Sequence, residues 1–204
     1  IDVPSHWVLR GEGRWGAPAY TNVDFPFPVD PPFPPEENPV GDYSRRFTCP
    51  ESWLTSGGQV RLRFDGVESQ IIVWVNGQWI GMARGSRLAH EFDITQALVP
   101  GENTVTLRVH QFSAGSYLED QDQWWLPGVF RSVSLRYLPD FSIEDLWIDT
   151  DYEAGEGFAT LELRVRGEQS ETLEANLEIE GLGTSVLTLA RGEDGRYRSE
   201  RIGL

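Results

Sequence analysis

The sequence is poor in the features that usually announce a function. It holds one cysteine, Cys49, so no disulfide can close within the chain and a cysteine-built metal site would lack its other ligands. The simplest reading of Cys49 is a small buried hydrophobe. Positive charge is scarce. There are 17 basic residues against 32 acidic ones, a net charge of -15, and the basic residues form no cluster. Such a chain repels phosphate backbones and anionic membrane surfaces, so neither nucleic acid nor membrane is an expected partner. No apolar run is long enough to span a bilayer. No Asn-x-Ser/Thr acceptor and no signal-peptide pattern occur, which points to the cytoplasm. The chain opens at Ile1 rather than at a methionine and reads as a piece of something longer. His6, His90 and His110 are far apart, with no metal-ligand spacing, and no G-x-S-x-G is present. The stretch "GEGRWG" (11–16) has dinucleotide-fingerprint spacing, but it leads into proline-rich coil rather than a helix after a strand, so it reads as a loop.

What is present is mostly β. Val60, Leu62 and Phe64 alternate with Arg61, Arg63 and Asp65. The same period of two runs through Val105, Leu107 and Val109, and through Val133, Leu135 and Tyr137, the mark of strands with one wet face. "IIVWV" (71–75) is unbroken apolar and reads as a central strand. It enters Asn76-Gly77, a two-residue hairpin turn in which both residues need positive φ. "VPGEN" (99–103) is a second turn. No amphipathic helix is evident. The coil "FPFPVDPPFPPEENP" (25–39) holds seven of the 13 prolines, which lack the N–H a sheet needs. Its Phe25, Phe27 and Phe33 call for burial, so an ordered loop is expected. From Asp140 a second run of strands begins, with turns near 153–157, at Gly167-Glu168 and at 181–183. About five strands in some 65 residues fall short of a complete immunoglobulin-like sandwich.

Eight tryptophans are many for this length, and the indole is favoured on flat binding surfaces as well as in cores. Two of them follow the acidic stretch in "GSYLEDQDQWWLPGVFR" (115–131). Asp120 and Asp122 share a face of an extended backbone, with Glu119 opposite. A carboxyl acid catalyst needs an enclosing pocket to raise its pKa, and nothing nearby supplies one. Ionised carboxylates can instead accept sugar hydroxyls or ligate a hard cation, with indole rings covering the apolar side of a sugar. A solvated acidic loop is the plainer alternative.

Four segments, "APAYTNVDFPFPVDPPFPPEENPVGDYSRRF", "FDGVESQIIVWVNGQWIGMARGSRLAHEFDIT", "GEN" and "GSYLEDQDQWWLPGVFRSVSL", occur in this order. Together they resemble the amino-terminal region of family 2 glycoside hydrolases of the β-galactosidase type, from about Val3 to Tyr137. The resemblance implies an all-β chain: a galactose-binding-domain-like jelly-roll β-sandwich over 1–138, then a partial, truncated immunoglobulin-like β-sandwich over 139–204. It implies a retaining β-galactosidase whose catalytic glutamates lie on a TIM barrel downstream, so that this piece has no catalytic residue and is inactive alone. Asn22, in "YTNV", and Asp122, the second aspartate of "DQD", are the residues expected to reach the galactosyl group there. Asp122 is expected to ligate sodium as well, and Val23 to line the same pocket. Ala114 stands where some members place an aspartate of an outlying magnesium site, which puts that site in doubt, and the main magnesium ligands belong to the barrel. Glu119 and Asp120 are left with loop order and solvation. The implied partners are a galactoside, the TIM barrel and further copies in a homo-oligomer. The alternatives are an autonomous carbohydrate-binding module and the front end of a β-glucuronidase.

Overall fold

Hydrophobic alternation becomes two facing sheets only if the chain turns back on itself, and it does so at Asn76-Gly77 and around Gly101, where the sequence expects turns. A computed structural model describes residues 1–119, 121–167, 170–181 and 183–203. The chain divides into two compact units, Ile1–Tyr137 and Leu138–Leu204. The first carries β1 (Ala19–Thr21), β2 (Val40–Thr48), β3 (Gln59–Phe64), β4 (Val67–Glu68), β5 (Gln70–Val75) and β6 (Gln78–Arg84). It continues with β7 (His90–Asp93), β8 (Glu102–His110), β9 (Gln123–Trp125), β10 (Gly128–Val129) and β11 (Val133–Leu138). Its helices are single turns, among them α1 (Glu51–Thr55) and α2 (Ser116–Glu119).

One sheet runs β2-β8-β5-β6 and another β11-β3-β7, and β5 lies inside the larger sheet. Val60, Leu62 and Phe64 of β3 join Ile71, Val73 and Val75 of β5, with Leu107 and Val109 of β8, in one buried cluster. Each such side chain contributes about 1.5–3 kcal/mol when fully buried. In β11 the alternation does not yield the same result: Val133 is exposed, while Leu135 and Tyr137 are half-buried against the cluster. Asn76 and Gly77 take φ of 52° and 79°, the turn anticipated from their identity. Asn76 also donates through Nδ2 to Asn103 Oδ1 at 2.7 Å and to the Ala97 carbonyl at 2.8 Å. Asn103 is buried, accepts from the Val99 N–H at 2.9 Å and donates to the Val99 and Gly101 carbonyls. The two turns are therefore stapled by a fully satisfied polar pair. Gly41 allows close approach: a Cβ there would lie 2.7 Å from the Trp7 ring. Cys49 is buried, and burial pushes its thiol pKa up.

The second unit continues with β12 (Ser142–Glu153), β13 (Glu156–Arg166), β14 (Thr172–Ile179), β15 (Gly183–Arg191), β16 (Tyr197–Arg198) and β17 (Ile202–Gly203). Among the described residues these form one antiparallel sheet, ordered β12-β13-β16-β15-β14, with β17 also paired to β13. The turn between β12 and β13 uses positive φ at Ala154 and Gly155. Glu168 and Leu182, in the two later turns, lie outside the described residues. Leu161, Leu163, Val165, Leu189 and Tyr197 form the buried cluster. The opposite face carries Glu162, which accepts from Arg196 and, at 2.7 Å, from Arg198 Nε. Arg198 also makes a two-pronged pair with Asp194 at 3.0 and 2.6 Å. In the first unit Arg61, Arg63 and Arg136 likewise converge on Glu91. Every cation in these networks is a guanidinium, because all 17 basic residues are arginine.

Candidate functional site

Alternation gives the short ribbon of β1 and β9 two unlike faces. Its register pairs Ala19 with Trp125, Tyr20 with Trp124 and Thr21 with Gln123. Trp125 points into the unit and is buried, its Nε1 donating to Thr21 Oγ1 at 2.7 Å. Its ring meets Phe27 and Phe112 edge-on, at 6.0 and 5.8 Å between centroids. These three form a separate core, with Ala19, Phe25 and Tyr117 against it. This core holds the proline-rich coil in place. The Asn38 side chain brackets the Phe112 backbone with two 2.9 Å hydrogen bonds. The Tyr117 hydroxyl donates to the Phe33 carbonyl at 2.8 Å and accepts from the Asp30 N–H. The coil is ordered, as its composition predicts, although only Phe27 is buried. Phe25 is half-buried and Phe33 stays exposed.

The other face of the ribbon presents Tyr20 and Trp124, about half exposed, with rings 5.6 Å apart. Asn22 follows the last residue of β1, and Asp122 precedes the first residue of β9. Since Thr21 faces Gln123, Asn22 and Asp122 flank the same end of the ribbon although 100 positions separate them. Both are exposed. The Tyr20 hydroxyl donates to Asp122 Oδ1, and this bond holds the phenol pKa above its usual value. Val23 is 83% exposed.

A cleft of about 210 Å³ opens on the flank of this ribbon, lined by Glu68, Ser86, Arg87, Glu119, Gln123 and Trp124 among others, and not by Asn22, Val23 or Asp122. Glu119 is not the solvated residue its sequence context implies. Its carboxylate accepts the Ser86 N–H at 2.7 Å and the Ser86 hydroxyl at 2.6 Å. Glu68 is buried, accepts the Leu126 N–H at 3.0 Å and pairs with Arg87 at 2.8 Å. Asp120, the third carboxylate of the stretch, lies outside the described residues. Sequence reasoning missed Glu68, Ser86 and Arg87, and no local pattern marks them, because their partners lie 19 to 58 positions away.

Chemically, Asn22 offers a donor and an acceptor and Asp122 offers acceptors only, beside two exposed aromatic rings. That set suits hydroxyl-rich ligands. No group of three or more His, Cys, Asp and Glu able to hold a metal occurs among the described residues. Asp122 therefore fits a hard cation as one oxygen ligand, not as a complete shell. No described helix is long and apolar enough to cross a membrane.

Residues 1–139 match the family model described as glycosyl hydrolases family 2, sugar binding domain. The chain is 57% identical over 164 residues to a β-galactosidase of Arthrobacter sp. (strain B7), covering 80% of this chain and 16% of that protein. It is 40% identical over 203 residues to a β-galactosidase of Leuconostoc mesenteroides, covering 98% of this chain and 19% of that protein. The chain thus spans less than a fifth of the length of these curated relatives. Among solved structures, a Bifidobacterium dentium β-glucuronidase aligns with a TM-score of 0.66 at 22% identity, over 81% of this chain and 33% of that one. A Bacteroides uniformis β-glucuronidase aligns with a TM-score of 0.67 at 21% identity, over 100% of this chain and 24% of that one. These two likenesses speak to the fold.

Proposed function

Since the chain belongs to glycosyl hydrolase family 2 through its sugar-binding domain, we propose that it is the substrate-contacting front part of a retaining β-galactosidase. Asn22 and Asp122 project into an active site whose catalytic glutamates lie on a TIM barrel elsewhere in the protein. The observation that carries this reading is the placement of Asn22 and Asp122 beside the same end of the β1–β9 ribbon. A galactosyl group presents several hydroxyls in a fixed array. The Asn22 carboxamide can give one hydrogen bond and take another, while an ionised Asp122 can only accept. Hydrogen bonds to a charged acceptor contribute about 1.5–3 kcal/mol, more than neutral ones. Tyr20 occupies one Asp122 oxygen with a donated proton and so orients the carboxylate. Sodium, when bound, would add a positive charge that organises sugar hydroxyls beside Asp122, with its remaining ligands from the barrel. Magnesium would bind through barrel residues.

Binding contacts are divided between this chain and the barrel. The isolated chain should therefore show no hydrolysis and no galactose binding tighter than about millimolar, which is roughly -4 kcal/mol. Its relatives at 57% and 40% identity are β-galactosidases, which favours a galactoside over a glucuronide. In the full-length protein, Asp122→Asn should lower kcat/KM for a β-galactoside by about 10²–10³-fold and weaken sodium activation. Wild-type kinetics in that variant would remove Asp122 from the active site. Micromolar galactose affinity of the isolated chain, by calorimetry, would instead mark an autonomous binding module.

A further inference from the structure

The described residues on the two sides of Asp122 are tied to one short segment. On the N-terminal side, Glu119 takes both the N–H and the hydroxyl of Ser86. On the C-terminal side, the Leu126 N–H is held by Glu68, whose other oxygen is held by Arg87. Ser86 is buried at 3% exposure and Glu68 at 5%. A buried carboxylate carries a heavy desolvation cost and persists only when fully paired, so these contacts have few alternative geometries. Adjacent residues 86 and 87 thus fasten the chain three residues before Asp122 and four residues after it. Gly85, just ahead of them, takes φ of +112°, a conformation that favours glycine, and its carbonyl meets His90 Nε2 at 2.9 Å. The anchoring segment is itself pinned at the start of β7.

We infer that Ser86 and Arg87, acting through Glu119 and Glu68, are positioning residues that set where Asp122 stands relative to the sugar. The inference rests on the reading of Asp122 as a galactosyl contact. Neither Ser86 nor Glu119 needs to touch substrate. Their effect is geometric, and a displacement of about 1 Å at a contact residue is enough to cost up to about 10²-fold in rate.

The test is a double-mutant cycle in the full-length protein. Glu119→Gln keeps the size and removes the charge that gathers both Ser86 donors. It should raise KM for a β-galactoside about tenfold. Ser86→Ala loses only the hydroxyl and should raise KM about threefold, while Ser86→Thr, which keeps the hydroxyl, should restore wild-type KM. In an Asp122→Asn background, Glu119→Gln should change KM no further, because the residue it positions is already disabled. A purely structural role predicts equal effects in both backgrounds, and that additivity would overturn the inference. Wild-type KM in Glu119→Gln, alongside an impaired Asp122→Asn, would overturn it too and leave the role of Asp122 standing. Wild-type kinetics in Asp122→Asn itself would overturn both.

Discussion

The two units follow the same period-two pattern and come to different ends. In the first, β3 and β5 lie in different sheets, and their alternate residues meet in one interior: Val60, Phe64, Val73 and Val75 are all at 0% exposure. In the second, the pattern is equally regular but, among the described residues, the strands form a single sheet. Leu146 and Ile148 of β12 pair across the sheet with Leu163 and Leu161 of β13. The β13 residues are 4% and 8% exposed, whereas Leu146 and Ile148 are 48% and 57% exposed. Alternation specifies which side chains share a face. It does not specify what covers that face. On the opposite face of the second unit, arginines cross-link Glu162 and Asp194, and Arg196 lies 4.7 Å over Trp147.

The sharpest way to break this contrast is to cut into the two apolar faces. Phe64→Ala should destabilise the first unit by about 3–5 kcal/mol, the range for a large aromatic removed from a core. Ile148→Ala in the same chain should stay within about 0.5 kcal/mol, as exposed substitutions do. Urea unfolding monitored at each unit would read both, and equal losses would erase the distinction. Next in size is the polar staple that ties the two turns of the first unit. Asn103→Ala strips partners from Asn76 and from the Val99 backbone, and should cost about 2–3 kcal/mol by the same measurement.

The smallest effect belongs to the charged face of the second unit. Hydrogen bonds from Arg198, then from the Arg196 N–H, pull the Asp194 pKa down from 3.8 to about 2. A lowered folded-state pKa means that folding favours the ionised form. The gain is complete above about pH 4 and is lost as pH falls through about 2. Asp194 is solvent-exposed, so the gain is modest. Melting curves of the chain and of Asp194→Asn should differ at neutral pH and converge near pH 2. A gap that persists unchanged in acid would show that charge is not its source.

What the sequence made legible follows from how far each rule reaches. Asn76-Gly77 is a local rule, since two residues determine their own φ, and the turn is where it was expected. The burial of Val60, Leu62 and Phe64 is nearly local, needing only that some sheet lie opposite. Val133 and Phe33 show the limit, because the pattern asks for burial and no neighbour provides it. Glu119 shows the limit from the other side. Nothing between Gly115 and Arg131 reveals that Ser86 waits 33 positions earlier, so a carboxylate in an acidic run looked solvated. Asn22 and Asp122 were singled out by family resemblance and not by spacing. Only the pairing of Thr21 with Gln123 brings them together.

The arginine-only networks on both units have a consequence of a different kind. Reducing sugars present a small fraction of free aldehyde, and unprotonated ε-amines condense with aldehydes to Schiff bases. Guanidinium groups hold their protons far above the pH of any cell. A chain whose 17 cations are all arginine offers no side-chain amine to that reaction. The face that carries Asn22 and Asp122 holds no lysine for a reducing sugar to glycate.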